Sequence, residues 1–165
     1  MPDRYAIALG SNRRTRHGSP AATLEAAFVA LAAAGAEVVD RSAVIATPAL
    51  GPAGRGFANA AAIILIDRPP PALLALLKRI ERDFGRRPGR RWGARSLDLD
   101  ILLWNGGHWP PRPRRAAPGG LAVPHTEIAR RRFVLDPLLA IAAGWRDPRS
   151  GHTIRQLRAR FQAGQ

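Results

Sequence analysis

The chain has 165 residues, 26 Lys and Arg against 12 Asp and Glu for a net charge of +14, and no cysteine. That length suits one domain, expected over 1–165 with a core in 5–140 and a C-terminal extension in 141–165, and the lack of cysteine excludes disulfide frameworks and thiolate zinc sites. The start, Met1-Pro2-Asp3-Arg4-Tyr5, lacks the basic and apolar pattern of a signal peptide, and no apolar run approaches the about 20 residues of a membrane span, so a cytoplasmic protein without membrane association is expected.

Tyr5 to Leu9 reads as a strand that leaves into a turn at Gly10-Ser11-Asn12. Ser19-Pro20 supplies a helix cap and a first-position proline, and Leu24, Phe28 and Leu31 recur at helical spacing up to Gly35. Val38 to Ala46 and Phe57 to Ile66 read as two strands joined by a segment rich in Pro and Gly. Pro69-Pro70-Pro71 opens a second helix with Leu73, Leu76, Leu77 and Ile80 on one stripe and Gly85 as its stop. A strand over Leu97 to Leu103 follows. The order β-α-β-β-α-β predicts an α+β protein of ferredoxin-like type: an antiparallel sheet with both helices packed on one face, plus C-terminal additions. Among those additions Thr126 to Arg131 reads as a short helix, Phe133 to Leu139 is ambiguous, and Ile154 to Phe161 reads as a terminal helix.

Strand periodicity places Asp98 and Asp100 on one face and Leu97, Leu99 and Ile101 on the other, directly after a loop dense in arginine. Paired carboxylates with neighbouring guanidiniums are what a metal-bound polyphosphate needs, because Mg²⁺ takes a couple of carboxylates plus phosphate oxygens. The common phosphate motif is excluded: a Walker A loop needs Gly-Lys, and the one lysine, Lys78, follows Leu77. The charge raises nucleic acid as a rival partner, but nearly all of it is arginine in a chain heavy in Ala, Gly and Pro, a bias that base composition alone produces. No nucleic-acid partner is expected.

Several stretches occur in a telling order: Ala8-Leu9-Gly10-Ser11-Asn12, Thr47-Pro48-Ala49-Leu50-Gly51-Pro52, Phe57-Ala58-Asn59-Ala60-Ala61, Glu81 with Gly85-Arg86, Arg91-Trp92-Gly93-Ala94-Arg95-Ser96-Leu97-Asp98-Leu99-Asp100-Ile101, Val123-Pro124-His125 and Arg131-Arg132-Phe133. Together they resemble the 6-hydroxymethyl-7,8-dihydropterin pyrophosphokinases of folate biosynthesis. The resemblance implies transfer of pyrophosphate from ATP to the hydroxymethyl group of the dihydropterin with release of AMP, two Mg²⁺ ions on Asp98 and Asp100, and a monomer acting on small molecules. It assigns catalysis to Arg86, Arg95, Asp98 and Asp100, and ATP contacts to Glu81, Arg91, Trp92, Arg95, Ile101, His125, Thr126 and Arg131. Pterin contacts fall to Thr47, Pro48, Leu50, Phe57, Asn59, Trp92 and Phe133. Ala49 and Ala94 stand where the family usually has proline, Thr126 where an aromatic is common, and Pro88 near a place where another arginine can occur.

Overall fold

The structure is a computed structural model that describes residues 1–47, 56–85, 96–112 and 114–164. Strand β1 (Asp3–Ser11) lies inside an antiparallel sheet, flanked by β4 (Phe57–Ile66) and β5 (Asp98–Trp104), and β2 (Glu37–Arg41) pairs with the outer side of β4 to give the order β2-β4-β1-β5. The expected single strand over Val38 to Ala46 is broken. It forms β2 and a separate β3 (Ile45–Thr47), both paired with β4, and the register changes between them from Arg41 opposite Ala62 to Ile45 opposite Asn59. Ser42 bridges the break: its backbone N–H donates to the Ala61 carbonyl at 2.9 Å, and its Oγ accepts the Ala61 N–H at 2.9 Å. A side chain that can satisfy buried backbone lets the ladder shift without orphaning a donor.

Helices α1 (Pro20–Ala33) and α2 (Pro70–Asp83) cover one face of the sheet. In α1 the Ser19 Oγ accepts the Ala22 N–H at 3.2 Å, Pro20 occupies the first turn, and the stripe Leu24, Phe28, Leu31 is buried together with Ala27. In α2 the stripe Leu73, Leu76, Leu77, Ile80 is buried as its spacing predicts, and Gly85 ends the run at φ +89°, a conformation that costs glycine nothing. These side chains meet Tyr5, Ile7 and Leu9 of β1, alternate residues of β4, Leu97, and Leu99 and Ile101 of β5. Each such leucine or isoleucine contributes about 1.5–3 kcal/mol through burial.

The opposite face carries a second, smaller core. Here Ala6, Ala61, Ile63, Leu102 and Leu103 pack against α3 (Arg132–Ala142) and α4 (Ile154–Ala163). The segment Thr126 to Arg131, read as a short helix, contracts to a 3₁₀ turn at Ile128–Arg130, and the ambiguous stretch after it is helical in spite of Pro137. Helix α4 opens on a capping box in which Thr153 Oγ1 accepts the Gln156 N–H at 3.2 Å and Gln156 Oε1 accepts the Thr153 N–H at 2.9 Å. The β1–β5 register shifts where Ala6 faces Leu103 and Ile7 faces Ile101, so Leu102 has no partner on β1.

Asp136 ties the two C-terminal helices together, accepting from Arg132 Nε at 3.0 Å and from Arg158 Nε. Burial pushes the Asp136 carboxyl up, but the hydrogen bonds from Arg158 and Arg132 outweigh it and hold the group below its ordinary value. A depressed carboxylate contributes stability that is present above its unfolded pKa and lost as pH falls through the folded one. Asp136→Ala is therefore expected to cost about 1–3 kcal/mol at neutral pH, by stranding the mostly buried Arg158, and progressively less in acid below the usual aspartate range. Urea unfolding of both proteins across that range checks it. Among the described residues, no helix is long and apolar enough to cross a membrane.

Candidate functional site

The second core stops short of one end of the sheet, and the uncovered end carries the polar residues. Across three strands Asn59 lies opposite Gly10 and Gly10 opposite Asp98; one step along, Ala61 lies opposite Ala8 and Ala8 opposite Asp100. Cross-strand partners share a face, so Asn59, Asp98 and Asp100 point the same way, while Leu99 and Ile101 turn into the helix-covered core. The middle row is small: a Cβ added at Gly10 would just reach van der Waals contact with Asn59 Oδ1, at 3.4 Å. Ala8 and Gly10 thus leave space in front of β1, and a cavity of about 40 Å³ opens there, bounded by Asn59, Asp98, Asp100, Arg131, Phe133 and Val134.

Asp100 also borders a larger cleft of about 250 Å³. Its walls are Lys78 of α2, Ile101 of β5, His125 with Thr126, and residues 119–122. The two spaces share one carboxylate. Burial raises the Asp100 pKa, the Asp98 charge raises it further, and His125 and Lys78 offset part of the effect. Two acids on adjacent same-face positions repel one another, and a divalent cation between them would remove that penalty. The donor set suits Mg²⁺: two carboxylates, with room for oxygens from a ligand, and no group of three or more His, Cys, Asp or Glu among the described residues to form a metal cage of its own.

His125 is fixed from several sides. Its backbone N–H donates to the Leu102 carbonyl at 2.9 Å, and its Nδ1 accepts the Glu127 N–H at 3.1 Å. A neutral ring whose Nδ1 accepts must carry its proton on Nε2, so the ring offers a donor away from the backbone. Glu81 plays a different part from an open-cleft ligand. It is 1% exposed, its Oε1 accepts the backbone N–H of Leu99 at 2.9 Å, and Lys78 Nζ sits 3.2 Å from Oε2. That clamp fixes the peptide between the two aspartates from behind.

Phe57 and Phe133 lie outside the core. They are 49% and 52% exposed, so both rings present apolar area to solvent. Thr47 lies opposite Phe57 and Ile45 opposite Asn59 on the same face, so β3 extends this surface outward. Arg131 borders the small cavity beside Phe133, its guanidinium 5.8 Å from that ring, and not the larger cleft with His125. Of the residues singled out from the sequence, Asn59, Asp98, Asp100, Arg131 and Phe133 meet at the small cavity, and Asp100, Ile101, His125 and Thr126 at the cleft. Pro48, Leu50, Arg86, Arg91, Trp92 and Arg95 lie outside the described residues. Sequence reasoning missed Lys78 and residues 119–122 as cleft walls. The place of Lys78, one turn before Glu81 on the same helix, was the available signal.

An antiparallel sheet with an acidic pair set between two unequal cavities, one of them bordered by an exposed aromatic ring, is the layout of an α+β enzyme. Residues 6–143 match the family model described as 7,8-dihydro-6-hydroxymethylpterin-pyrophosphokinase (HPPK), and the chain belongs to that family. A relative from Synechocystis sp. named 2-amino-4-hydroxy-6-hydroxymethyldihydropteridine pyrophosphokinase is 38% identical over 135 residues, 81% of this chain and 66% of that protein. One of the same name from Methylorubrum extorquens is 36% identical over 160 residues, covering 96% of this chain and 93% of the relative. A solved Plasmodium falciparum HPPK-DHPS structure superposes over 99% of this chain with a TM-score of 0.72 at 12% identity, and the chain spans 45% of its length.

Proposed function

We propose that the protein transfers the pyrophosphoryl group of ATP to the hydroxymethyl oxygen of 6-hydroxymethyl-7,8-dihydropterin, releasing AMP, as a step of folate synthesis. The observation that carries this reading is Asp100, which borders both cavities and so stands where two substrates would meet. The pterin hydroxyl forms a bond to the β-phosphorus of ATP, the bond from that phosphorus to the α–β bridging oxygen breaks, AMP leaves with that oxygen, and the hydroxyl gives up its proton. Little of this needs covalent help. The protein's task is to hold the reactants in line and to meet the charge.

The larger cleft is assigned to ATP. Ile101 and residues 119–122 form its walls, while Lys78 and the Nε2–H of His125 provide positive or donor groups for anionic oxygens. Asp98 and Asp100 would hold two Mg²⁺ ions, which supply charge neutralisation along the triphosphate when bound. Arg86 and Arg95 are assigned to the triphosphate by family resemblance, Arg91 and Arg131 to the ATP side and Trp92 to both substrates, with Arg131 bordering the small cavity. Asn59, whose amide both donates and accepts, suits the hydrogen-bonding edge of a pterin, and Phe57 and Phe133 suit its flat faces. The sheet order β2-β4-β1-β5, with α1 and α2 on one face, supports a ferredoxin-like core with α3 and α4 as additions.

The direct test is AMP formation from ATP in the presence of Mg²⁺, with and without 6-hydroxymethyl-7,8-dihydropterin. AMP release that depends on the pterin is expected, and its absence refutes the assignment. Phe57→Ala and Phe133→Ala should each weaken pterin binding by about 1–3 kcal/mol, the value of one lost ring stack, and leave the melting temperature close to that of the parent because both rings are half exposed. Isothermal titration with the pterin and a thermal melt would separate the two effects.

A further inference from the structure

The turn that joins α3 to α4 reaches back to the cleft. Arg149 Nη2 donates to the carbonyl oxygen of His125 at 2.8 Å, across 24 residues of sequence. Residue 149 lies beyond the 6–143 span matched by the family. The turn is built to hold that arginine in place. Asp147 is buried, and its carboxylate accepts the Arg149 backbone N–H at 2.9 Å and the Ser150 hydroxyl at 3.2 Å, with the Arg149 Nε 3.6 Å away. Further bonds close the turn at its base, from Asp147 N–H to the His152 carbonyl at 2.9 Å and from Gly151 N–H to the Asp147 carbonyl at 2.8 Å.

We propose that Arg149 is a positioning residue for the cleft, holding His125 in the orientation and tautomer in which its Nε2–H faces the nucleotide. Four hydrogen bonds define that orientation. The His125 N–H is held by Leu102 on β5, its Nδ1 by the Glu127 N–H, and its carbonyl by the Ile128 N–H at 3.2 Å together with the shorter, charge-assisted bond from Arg149. The first anchors His125 to the sheet and the next two come from the local turn. Arg149 couples it to the turn between the C-terminal helices. Arg149 is exposed, but its backbone N–H bond and its 3.6 Å ion pair to the buried Asp147 restrict it, so less freedom is lost when its Nη2 donates to the carbonyl. The C-terminal turn then becomes part of the nucleotide site without touching the nucleotide.

This inference rests on the assignment of the cleft to ATP, and the test separates the two. Arg149→Ala, Arg149→Lys and the parent would be compared in pterin-dependent AMP release, in thermal melts, and by long-range ¹H–¹⁵N NMR of the His125 ring. Arg149→Ala should raise KM for ATP about five- to tenfold and leave KM for the pterin and kcat within about twofold. Its melting temperature should stay close to the parent's. The His125 ring should shift from the pure Nε2–H tautomer toward a mixture, and Arg149→Lys, which keeps a cationic donor, should recover part of both effects. An unchanged KM for ATP with an unchanged tautomer overturns the proposal. An equal loss of pterin and ATP affinity with a lowered melting temperature does so too, since it marks a general structural defect. If the parent releases no AMP, the functional assignment fails, and the NMR comparison still decides whether Arg149 fixes the His125 ring.

Discussion

Asp98→Asn and Asp100→Asn are each expected to lower kcat by at least about 10²–10³-fold, the loss that follows removal of one preorganised electrostatic contact to the developing charge. Neither change touches the apolar face of β5, because Leu97, Leu99 and Ile101 carry the packing. Asp100→Asn should in fact raise the melting temperature of the metal-free protein. The Asp100 pKa lies above its ordinary value through burial and the adjacent Asp98 charge, so the folded state bears an uncompensated penalty once the group ionises. The sign follows from linkage: a raised carboxyl contributes stability below its unfolded pKa and loses it as pH rises through the folded one. The stability gain of Asp100→Asn in chelator should therefore appear at neutral pH and shrink toward the usual aspartate range. Steady-state rates with Mg²⁺ and melts with EDTA measure the two halves. Parental turnover in either variant would remove the aspartates from the reaction, and a less stable Asp100→Asn at neutral pH would contradict the electrostatic account.

Glu81→Ala should damage both fold and turnover, although its carboxylate does not border either cavity. The substitution leaves the buried Leu99 N–H without its acceptor, a cost of about 1–3 kcal/mol, and frees the peptide that separates Asp98 from Asp100. Lys78, half exposed, rehydrates easily when its partner is lost and adds little to the penalty. Glu81→Gln keeps an oxygen facing Leu99 and should retain most of the stability, which makes the pair of variants diagnostic. Urea midpoints and kcat for both check this. Equal midpoints for Glu81→Ala and the parent would show that the clamp is idle.

Those effects depend on features that differ in how openly the sequence displays them. The alternation Leu97-Asp98-Leu99-Asp100-Ile101 announces its two faces, since a strand has only two and the apolar residues must take the covered one. Helices α1 and α2 were equally plain, with stripes, proline starts and glycine stops in agreement. Helix α3 was not, because Arg131 offers no side-chain cap and Pro137 interrupts the pattern; packing of Leu135 and Leu138 against the sheet overrides both. The split of Val38 to Ala46 turns on one serine hydroxyl meeting a backbone amide across the sheet, a tertiary event with no local period. Asn59 could be suspected from its place in an apolar run. The exposure of Phe57 and Phe133 could not, because it depends on where α3 and α4 stop covering the face. The placing of Glu81 behind β5, and of Arg149 over His125, likewise comes from the assembly of distant segments.

The irregularity at Leu102 has a use. Strand β5 has one peptide more than its neighbour can accommodate, and that surplus carbonyl is the one that receives the His125 N–H. Removing this single residue would still let Ile7 face Ile101 and Ala6 face Leu103, so the acidic pair would keep its aim while the histidine segment lost its mooring. An indel of one, usually ruinous within a strand, would here separate the aim of the acidic pair from the placing of His125, at the cost of the buried Leu102 side chain.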